Sequence, residues 1–438
     1  MSVSIGGLRR AGFGALLVAM LCAFLALAGT PAHAATKITL TEEDYFSTPG
    51  QVAALATYTK AFEREHPGVT VKRVEVPFAD LDSKLLTQAG SHDLPNLLAS
   101  DNPFVAAMVA TGQIMPLNKF KGFSTKGYYP AVLDEGLING KNYSLPVAGE
   151  NSIALIYNIA DFKAAGISSP PKTWAQLEAD AKLLTTKGGA ASGGVSGFGI
   201  TCDNAEDATW QWEPFFWGDK GSFTFSNISG TPGKQAMTLL QTLLAPGGGG
   251  YDDGCSNYSQ TPSETDDFIA GKLAMMLNGP WNFPSFSGNK PPENYGKYYG
   301  VAAIPTESAG QKAVVPLGGE DWEISKSGSS AEQQLAFDYL EGMQSTSEEL
   351  SLAKQFGYLP ARISVAKKYV KQAGPAWSVL ATQTLYAHPR TLGLGTKYNT
   401  ISTAVWDAIS SVSASPTSSE VTSALSTAQT AINGALKK

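Results

Sequence analysis

From Lys37 onward, short apolar or β-branched runs alternate with stretches whose apolar positions recur every three or four residues. Residues 37–40 are β-rich. In residues 51–66, Val52, Leu55, Tyr58 and Phe62 fall on one face of a helix, and Pro67-Gly68 ends it. Residues 69–74 read as the next strand, 79–89 as the next helix and 96–100 as a third strand. This order predicts βαβ units around a mostly parallel sheet. Residues 143–147, 153–157, 198–201, 273–277 and 301–304 read as further strands. Thr173 is the expected N-cap of a helix carrying Trp174, Leu177 and Leu183. The Gly-rich runs 188–197 and 246–250 read as loops. From about Ala331 the pattern turns helical, beginning with Leu335, Phe337, Leu340 and Met343. The last helix carries Val421, Leu425, Ala428, Ile432 and Leu436 as a stripe expected to dock on the body.

The N-terminus breaks this pattern. Arg9 and Arg10 precede an apolar run from about Ala15 to Ala28, and Ala32-His33-Ala34 places small residues at the −3 and −1 positions of a cleavage site. This predicts a signal peptide over residues 1–34, cut near Ala34, and an exported protein, periplasmic or at the cell surface. The run is too short for a spanning helix, which needs ~20 residues. Cys22 leaves with the peptide. Cys202 and Cys255 remain and are expected to form one disulfide in an oxidising compartment.

The full 438 residues suit two or three domains at roughly 100–200 residues each. Hydrophobic residues at 43% against 16% charged describe a folded chain rather than a disordered one. A net charge of −6 with no basic patch points away from nucleic acid. His66, His92 and His388 lack zinc-site spacing, and there is no G-x-S-x-G, no P-loop and no G-x-G-x-x-G after a strand. No metal and no cofactor are therefore expected.

Carboxylates and aromatic rings are the remaining chemistry. Glu42-Glu43-Asp44 follows the first strand, where loops of open α/β sheets face the crevice; the plainer alternative is a solvated acidic surface. Glu320-Asp321 lies late in the chain. Trp210, Trp212 and Trp217 cluster with Phe215, Phe216 and the pair Glu213-Pro214. Trp281 follows Asn278-Gly279-Pro280, and Trp322 follows Gly318-Gly319-Glu320-Asp321. Flat rings offer apolar faces to the C–H faces of a sugar, and carboxylates and amides match its hydroxyls. Trp174, Trp377 and Trp406 sit at helical positions and are assigned to the core.

Four segments carry a family likeness: Phe62 to Val71 with Pro67-Gly68-Val69; Asn142 to Asn158 followed by Pro171 to Trp174; Phe268 to Met276 leading to Asn278-Gly279-Pro280-Trp281; and Pro316 to Ser325, with Ala336-Phe337 and Gly357-Tyr358-Leu359-Pro360 after it. In this order they resemble the extracellular solute-binding proteins of ATP-driven sugar importers, of the maltodextrin-binding type. The resemblance implies an α/β, two-lobed periplasmic-binding-protein fold of class II type, with hinged lobes and mixed sheets flanked by helices. The chain would cross near Gly149-Glu150-Asn151 and near Asn278-Gly279. Lobe 1 would hold residues 36–149 and 279–325, and lobe 2 residues 150–278 and 326–438. A monomer would capture a sugar or short oligosaccharide without turnover and dock on the membrane subunits of an ABC permease.

Carried over position by position, the resemblance implies ligand contacts from Glu42, Glu43, Asp44 and Tyr45 after the first strand and from Asp101 and Asn102 after the third. It adds Glu150 and Asn151 at the crossing, Trp212, Glu213 and Phe215 in the second lobe, and Trp281 as a stacking ring. Gly319, Glu320, Asp321 and Trp322 would line the cleft from a late loop, and Arg362 would reach hydroxyls. Maltodextrin binders carry a tryptophan just before the acidic cleft loop. Ser100 stands there in this chain, which implies a shorter saccharide. Two alternatives remain: a secreted carbohydrate-active enzyme using paired carboxylates, and the same fold holding a polyamine or peptide.

Overall fold

The computed structural model describes residues 1–2, 37–190, 192–202, 205–245, 263–286, 296–384 and 386–437. The leader expected over residues 1–34, the loop 246–250 and Cys255 lie outside the described residues, apart from residues 1–2.

Among the described residues ten strands run in chain order: β1 Ile38–Asp44, β2 Val69–Glu75, β3 Leu97–Asp101, β4 Leu137–Ile138, β5 Lys141–Asn142, β6 Ser144–Pro146, β7 Ala154–Asn158, β8 Met275–Asn278, β9 Tyr299–Ala302 and β10 Glu320–Ile324. The first lobe is built on a five-stranded sheet of order β2-β1-β3-β10-β6. Its first three strands are parallel, joined by the helices Pro49–Glu65 and Phe78–Ser91, as the alternation predicts. β10 then enters antiparallel between β3 and β6. Both faces of this sheet are covered, because alternate side chains leave a strand on opposite sides. Leu97 and Ala99 join the main core, while Leu98 packs with Leu81, Leu85, Phe104 and Met108 on the other face.

The second lobe holds the antiparallel sheet β8-β7-β9. Thr173 caps the helix Trp174–Leu184 as expected, with Gln176 completing a capping box. Residues 198–201 do not form a strand of their own. Gly199 makes only an isolated parallel bridge to Met276.

Two lobe assignments read from the sequence do not follow this pairing. β9, expected in the first lobe, pairs with β7 in the second. The helices Ser330–Met343 and Thr346–Phe356, expected in the second, pack on the first: the Tyr58 hydroxyl donates to the Tyr339 carbonyl at 2.6 Å, and the rings of Phe46 and Phe356 lie 4.6 Å apart. The helices Lys397–Ala414 and Ser418–Lys437 do join the second lobe, where the Thr209 hydroxyl donates to the Ser402 carbonyl at 3.1 Å. The last carries the predicted stripe, with Val421, Leu425, Ala428 and Ile432 buried.

Three extended segments cross between the lobes side by side. The amides of Glu150 and Leu359 each donate to the other's carbonyl at 2.7 Å. Asn151 donates to Gly318 at 2.8 Å, and Gly318 donates back at 3.0 Å. The first of these segments runs through Gly149-Glu150-Asn151. The second lies within 303–319 rather than at Asn278-Gly279, because the chain must still complete β9 on the second sheet. Gly149 has φ 132°, and a Cβ there would stand 2.1 Å from the Leu359 carbonyl oxygen. Only glycine permits so close a crossing.

Candidate functional site

A cavity of about 350 Å³ opens where the lobes face each other. That volume lies in the range of small-molecule pockets, roughly 300–1,000 Å³. From the first lobe come Tyr45, Phe78, Asp101 and Glu320; from the crossing strands, Asn151, Gly318 and Gly319. Opposite stand Glu206, Asp207, Trp210 and Gln211 on the helix Glu206–Gly218, and Trp281 on the short turn Pro280–Asn282. Tyr358 and Arg390 enter from the C-terminal part.

Arg390 organises the polar wall. It is 3% exposed. Its Nη2 donates to Asp101 Oδ1 at 2.9 Å and its Nη1 to Glu206 Oε1 at 2.8 Å. Nε donates to the Leu317 carbonyl at 3.1 Å, and the backbone amide to Glu135 Oε1 at 2.9 Å. One guanidinium therefore ties β3, the crossing strand and the opposing helix together. Burial raises the Glu206 carboxyl, against the pull of that guanidinium. Glu206 also accepts the hydroxyl of Tyr398 at 2.6 Å and that of Ser402.

Glu320 is held differently. The hydroxyls of Tyr45 and Tyr358 donate to its two oxygens. Burial lifts its carboxyl to about 7, and the tyrosine hydroxyls oppose that rise. Asn151 is buried, and its Oδ1 has no protein partner. A Cβ on Gly318 would stand 2.5 Å from that oxygen and 2.6 Å from Trp210 Cζ2, so the missing side chain lets both reach the cavity.

The apolar wall is an indole pair. Trp210 and Trp281 stack with centroids 5.3 Å apart and an interplanar angle of 22°. Neither Nε1 has a protein partner. Arg390 lies over the Trp210 ring, with its Cζ 5.7 Å from the centroid.

Six residues expected at the site line this cavity: Tyr45, Asp101, Asn151, Trp281, Gly319 and Glu320. Asn102, Glu150 and Asp321 are buried without lining it; Asn102 donates its amide to the Gly319 carbonyl at 3.1 Å, and Asp321 accepts the Ser144 hydroxyl at 2.7 Å. Burial and the neighbouring Asp321, Glu135 and Glu320 hold the Glu150 carboxyl well above its ordinary range.

The other expected residues lie elsewhere. Asp44 pairs with Arg73, whose Nε donates at 2.6 Å, and Glu43 meets Lys84 at 3.1 Å. Glu42 is wholly buried among Asp44, Tyr339 and Arg73. These carboxylates belong to β1 itself, and only Tyr45, past its end, reaches the cleft. Trp212 stacks on Phe216 at 5.3 Å, Phe215 meets Trp174 edge-on at 6.0 Å, and Glu213 accepts the Tyr398 hydroxyl at 3.0 Å. Trp322 is fully buried against Phe46. Arg362 lies over Tyr128 and gives its amide to Glu349.

The sequence reading missed Glu206, Asp207, Trp210, Gln211, Tyr358 and Arg390. Helical spacing could have found the first four. Positions 206, 207, 210 and 211 share one face of their helix, and 212, 215 and 216 turn to the core.

Comparison with known proteins follows the same lines. Residues 57–378 match the family described as bacterial extracellular solute-binding protein. A putative binding protein of Brucella abortus (strain 2308) is 31% identical over 261 residues, 58% of this chain and 60% of that protein, so the match spans less than two thirds of that relative. The maltodextrin-binding protein of Bacillus subtilis is 23% identical over 351 residues, 75% of each chain. An ABC transporter solute-binding protein of Thermotoga lettingae, solved with α-D-tagatose, superposes with a TM-score of 0.78 at 22% identity, covering 91% of this chain and 100% of that one. The two-lobed architecture is thus a known one.

Proposed function

Because the chain belongs to the bacterial extracellular solute-binding proteins, we propose that it is the capturing component of an ABC importer and holds a sugar or short oligosaccharide between its lobes. The observation that carries this reading is the cavity: stacked indoles on one side, with carboxylates and an unpartnered amide oxygen on the other. Sugar rings present exactly this mixture of apolar C–H faces and hydroxyls, each hydroxyl both donor and acceptor. The Bacillus subtilis relative is a maltodextrin binder and the Thermotoga lettingae structure holds α-D-tagatose, which supports a saccharide here.

The reading extends to the chain's life outside the cell. The leader is cut near Ala34, Cys202 pairs with Cys255, and the monomer delivers its ligand to permease subunits. Of the described residues, those within 37–148 and 320–356 make the first lobe and those within 152–302 and 363–437 the second, with the three crossing segments as hinge. Ligand contacts with both lobes favour the closed form.

Binding without turnover is favoured over glycoside hydrolysis. A glycosidase needs one carboxyl free to give a proton and a second free to attack or to activate water. Here Asp101 and Glu206 share one guanidinium, and Glu320 accepts two tyrosine hydroxyls. The test is a thermal-shift screen against mono- and oligosaccharides, polyamines and short peptides, since a ligand of the folded state raises the midpoint. A rise with one sugar class, recovered unchanged, supports the proposal. A rise with a polyamine or peptide alone refutes the saccharide, and product formation refutes the binder.

A further inference from the structure

Beside the three crossing segments, Arg390 and Thr391 link the lobes in another way. Their own segment belongs to the second lobe. Leu394 and Gly395 donate to the Thr391 carbonyl at 2.8 and 2.9 Å, and these turns lead into the helix Lys397–Ala414. On its other side the segment lies along the second crossing: His388 donates to the Val315 carbonyl at 2.8 Å, and Leu317 donates back to His388 at 2.9 Å.

From there it reaches the first lobe at two places. At the cavity, the Arg390 guanidinium meets Asp101 at the end of β3. The second contact is Glu135, which does not line the cavity. Its Oε1 accepts the Arg390 amide at 2.9 Å, and its Oε2 accepts the Thr391 hydroxyl at 2.6 Å. Glu135 and Thr391 are both buried. Two donors of one segment on the two oxygens of one carboxylate fix orientation as well as distance. The anchor is firm. Glu135 ends the helix Pro130–Glu135, Tyr143 donates to the Gly136 carbonyl at 2.9 Å, and a Cβ on Gly136 would stand 2.3 Å from Ser144 Oγ on β6. The carboxylate therefore moves with the first sheet, and its two donors move with the second lobe.

Lobes that swing apart about the crossing segments must break these bonds, because each end is fixed to its own lobe. A buried donor or acceptor left without a partner bears its full desolvation cost until water reaches it.

We infer that Glu135 is a positioning residue of the binding site. With the Arg390 amide and the Thr391 hydroxyl it latches the two lobes together before any sugar is bound, and it holds Arg390 between Asp101 and Glu206 at the cavity wall. The inference rests on the lobe division and hinge proposed above and is independent of which solute the cleft takes.

The experiment is a distance measurement by double electron–electron resonance on the full chain without sugar. Spin labels are placed at Thr87→Cys and Thr238→Cys, exposed positions on the first and second lobes. The chain without these two substitutions, carried through the same labelling, sets the background from its native cysteines. Glu135→Gln, Thr391→Val and Thr391→Ser are then compared with the labelled parent. The first turns one acceptor oxygen into a donor, the second removes the hydroxyl at nearly constant shape, and the third keeps it. For lobes exchanging between two arrangements, Glu135→Gln and Thr391→Val should each raise the population at the longer separation at least about threefold. Thr391→Ser should leave the parent distribution in place. An unchanged distribution in Thr391→Val overturns the inference, even if Glu135→Gln fails to fold. So does Thr391→Ser opening as far as Thr391→Val, or a labelled parent already wholly at the longer separation. Since no sugar is present, each of these outcomes leaves the saccharide reading to the thermal-shift screen.

Discussion

Arg390 shows how one side chain can fix a site. With it removed, Asp101 and Glu206 face each other across the cleft without their shared cation, and Glu135 loses a neighbouring positive charge. Breaking a buried ion pair from one side costs roughly 3–5 kcal/mol. Arg390→Ala should therefore lower the unfolding free energy by an amount of that order, measured by urea titration. Arg390→Lys should recover only part of it, because an ammonium cannot reach both carboxylates in a fork. A loss below about 1 kcal/mol in Arg390→Ala would show that the triad is not under tension. No local signal marks this residue. It sits in a Pro-Arg-Thr stretch with no periodic pattern, and its importance comes from three segments distant in sequence meeting at one point. Ser100, by contrast, was read from sequence as a departure from the family, and it lies on β3 giving its hydroxyl to Glu323 at 2.9 Å.

At the scale of elements, the helix Glu206–Gly218 separates two roles that the sequence alone ran together. The aromatic cluster was legible as a cluster. Which ring faces the ligand depends on rotation about the helix axis, fixed by packing against the helix Lys397–Ala414. Trp212 has no exposure, whereas Trp210 stacks on Trp281 at the cavity. Trp212→Ala should cost about 3–5 kcal/mol of stability by leaving a void, seen as a lower denaturation midpoint. Trp210→Ala should leave stability less affected and weaken saccharide binding at least tenfold in a titration. The reverse pattern would contradict the assignment. β10 teaches a similar lesson. Glu320-Asp321-Trp322-Glu323 reads as a polar loop, yet it forms a central strand with every residue buried. Its acids are tolerated because Ser144, Ser100, Tyr45 and Tyr358 donate to them.

Across the whole molecule, buried carboxyls set the pH response. Burial is the first cause that lifts Glu135, Glu320 and Asp321 to about 7 and Glu42 to about 8, Asp44 adding to the rise at Glu42. Each keeps its proton in the folded chain at pH values where the unfolded carboxyl has lost it. The stabilisation is therefore whole below the unfolded values, near 4.5 for Glu and 3.8 for Asp, and is lost as pH rises through 7 to 8. His388 works the other way. Burial pushes its ring down to about 4, so its contribution is present above 6.5 and lost as pH falls toward 4. The thermal midpoint should peak on the mildly acidic side and fall between about pH 6 and pH 8, and Glu42→Gln should flatten that fall. A midpoint that climbs over this range would contradict the assignment.

The central claim, that the cleft captures a saccharide and releases it unaltered, is tested most directly by equilibrium titration of the protein with the sugar selected by the screen, followed by chromatography of the recovered ligand. The account predicts one site per chain, a dissociation constant of about 1 μM, equivalent to about −8 kcal/mol, strong weakening in Trp281→Ala, and the sugar returned intact. Binding that is unchanged by Trp281→Ala, or a sugar recovered cleaved, would contradict it.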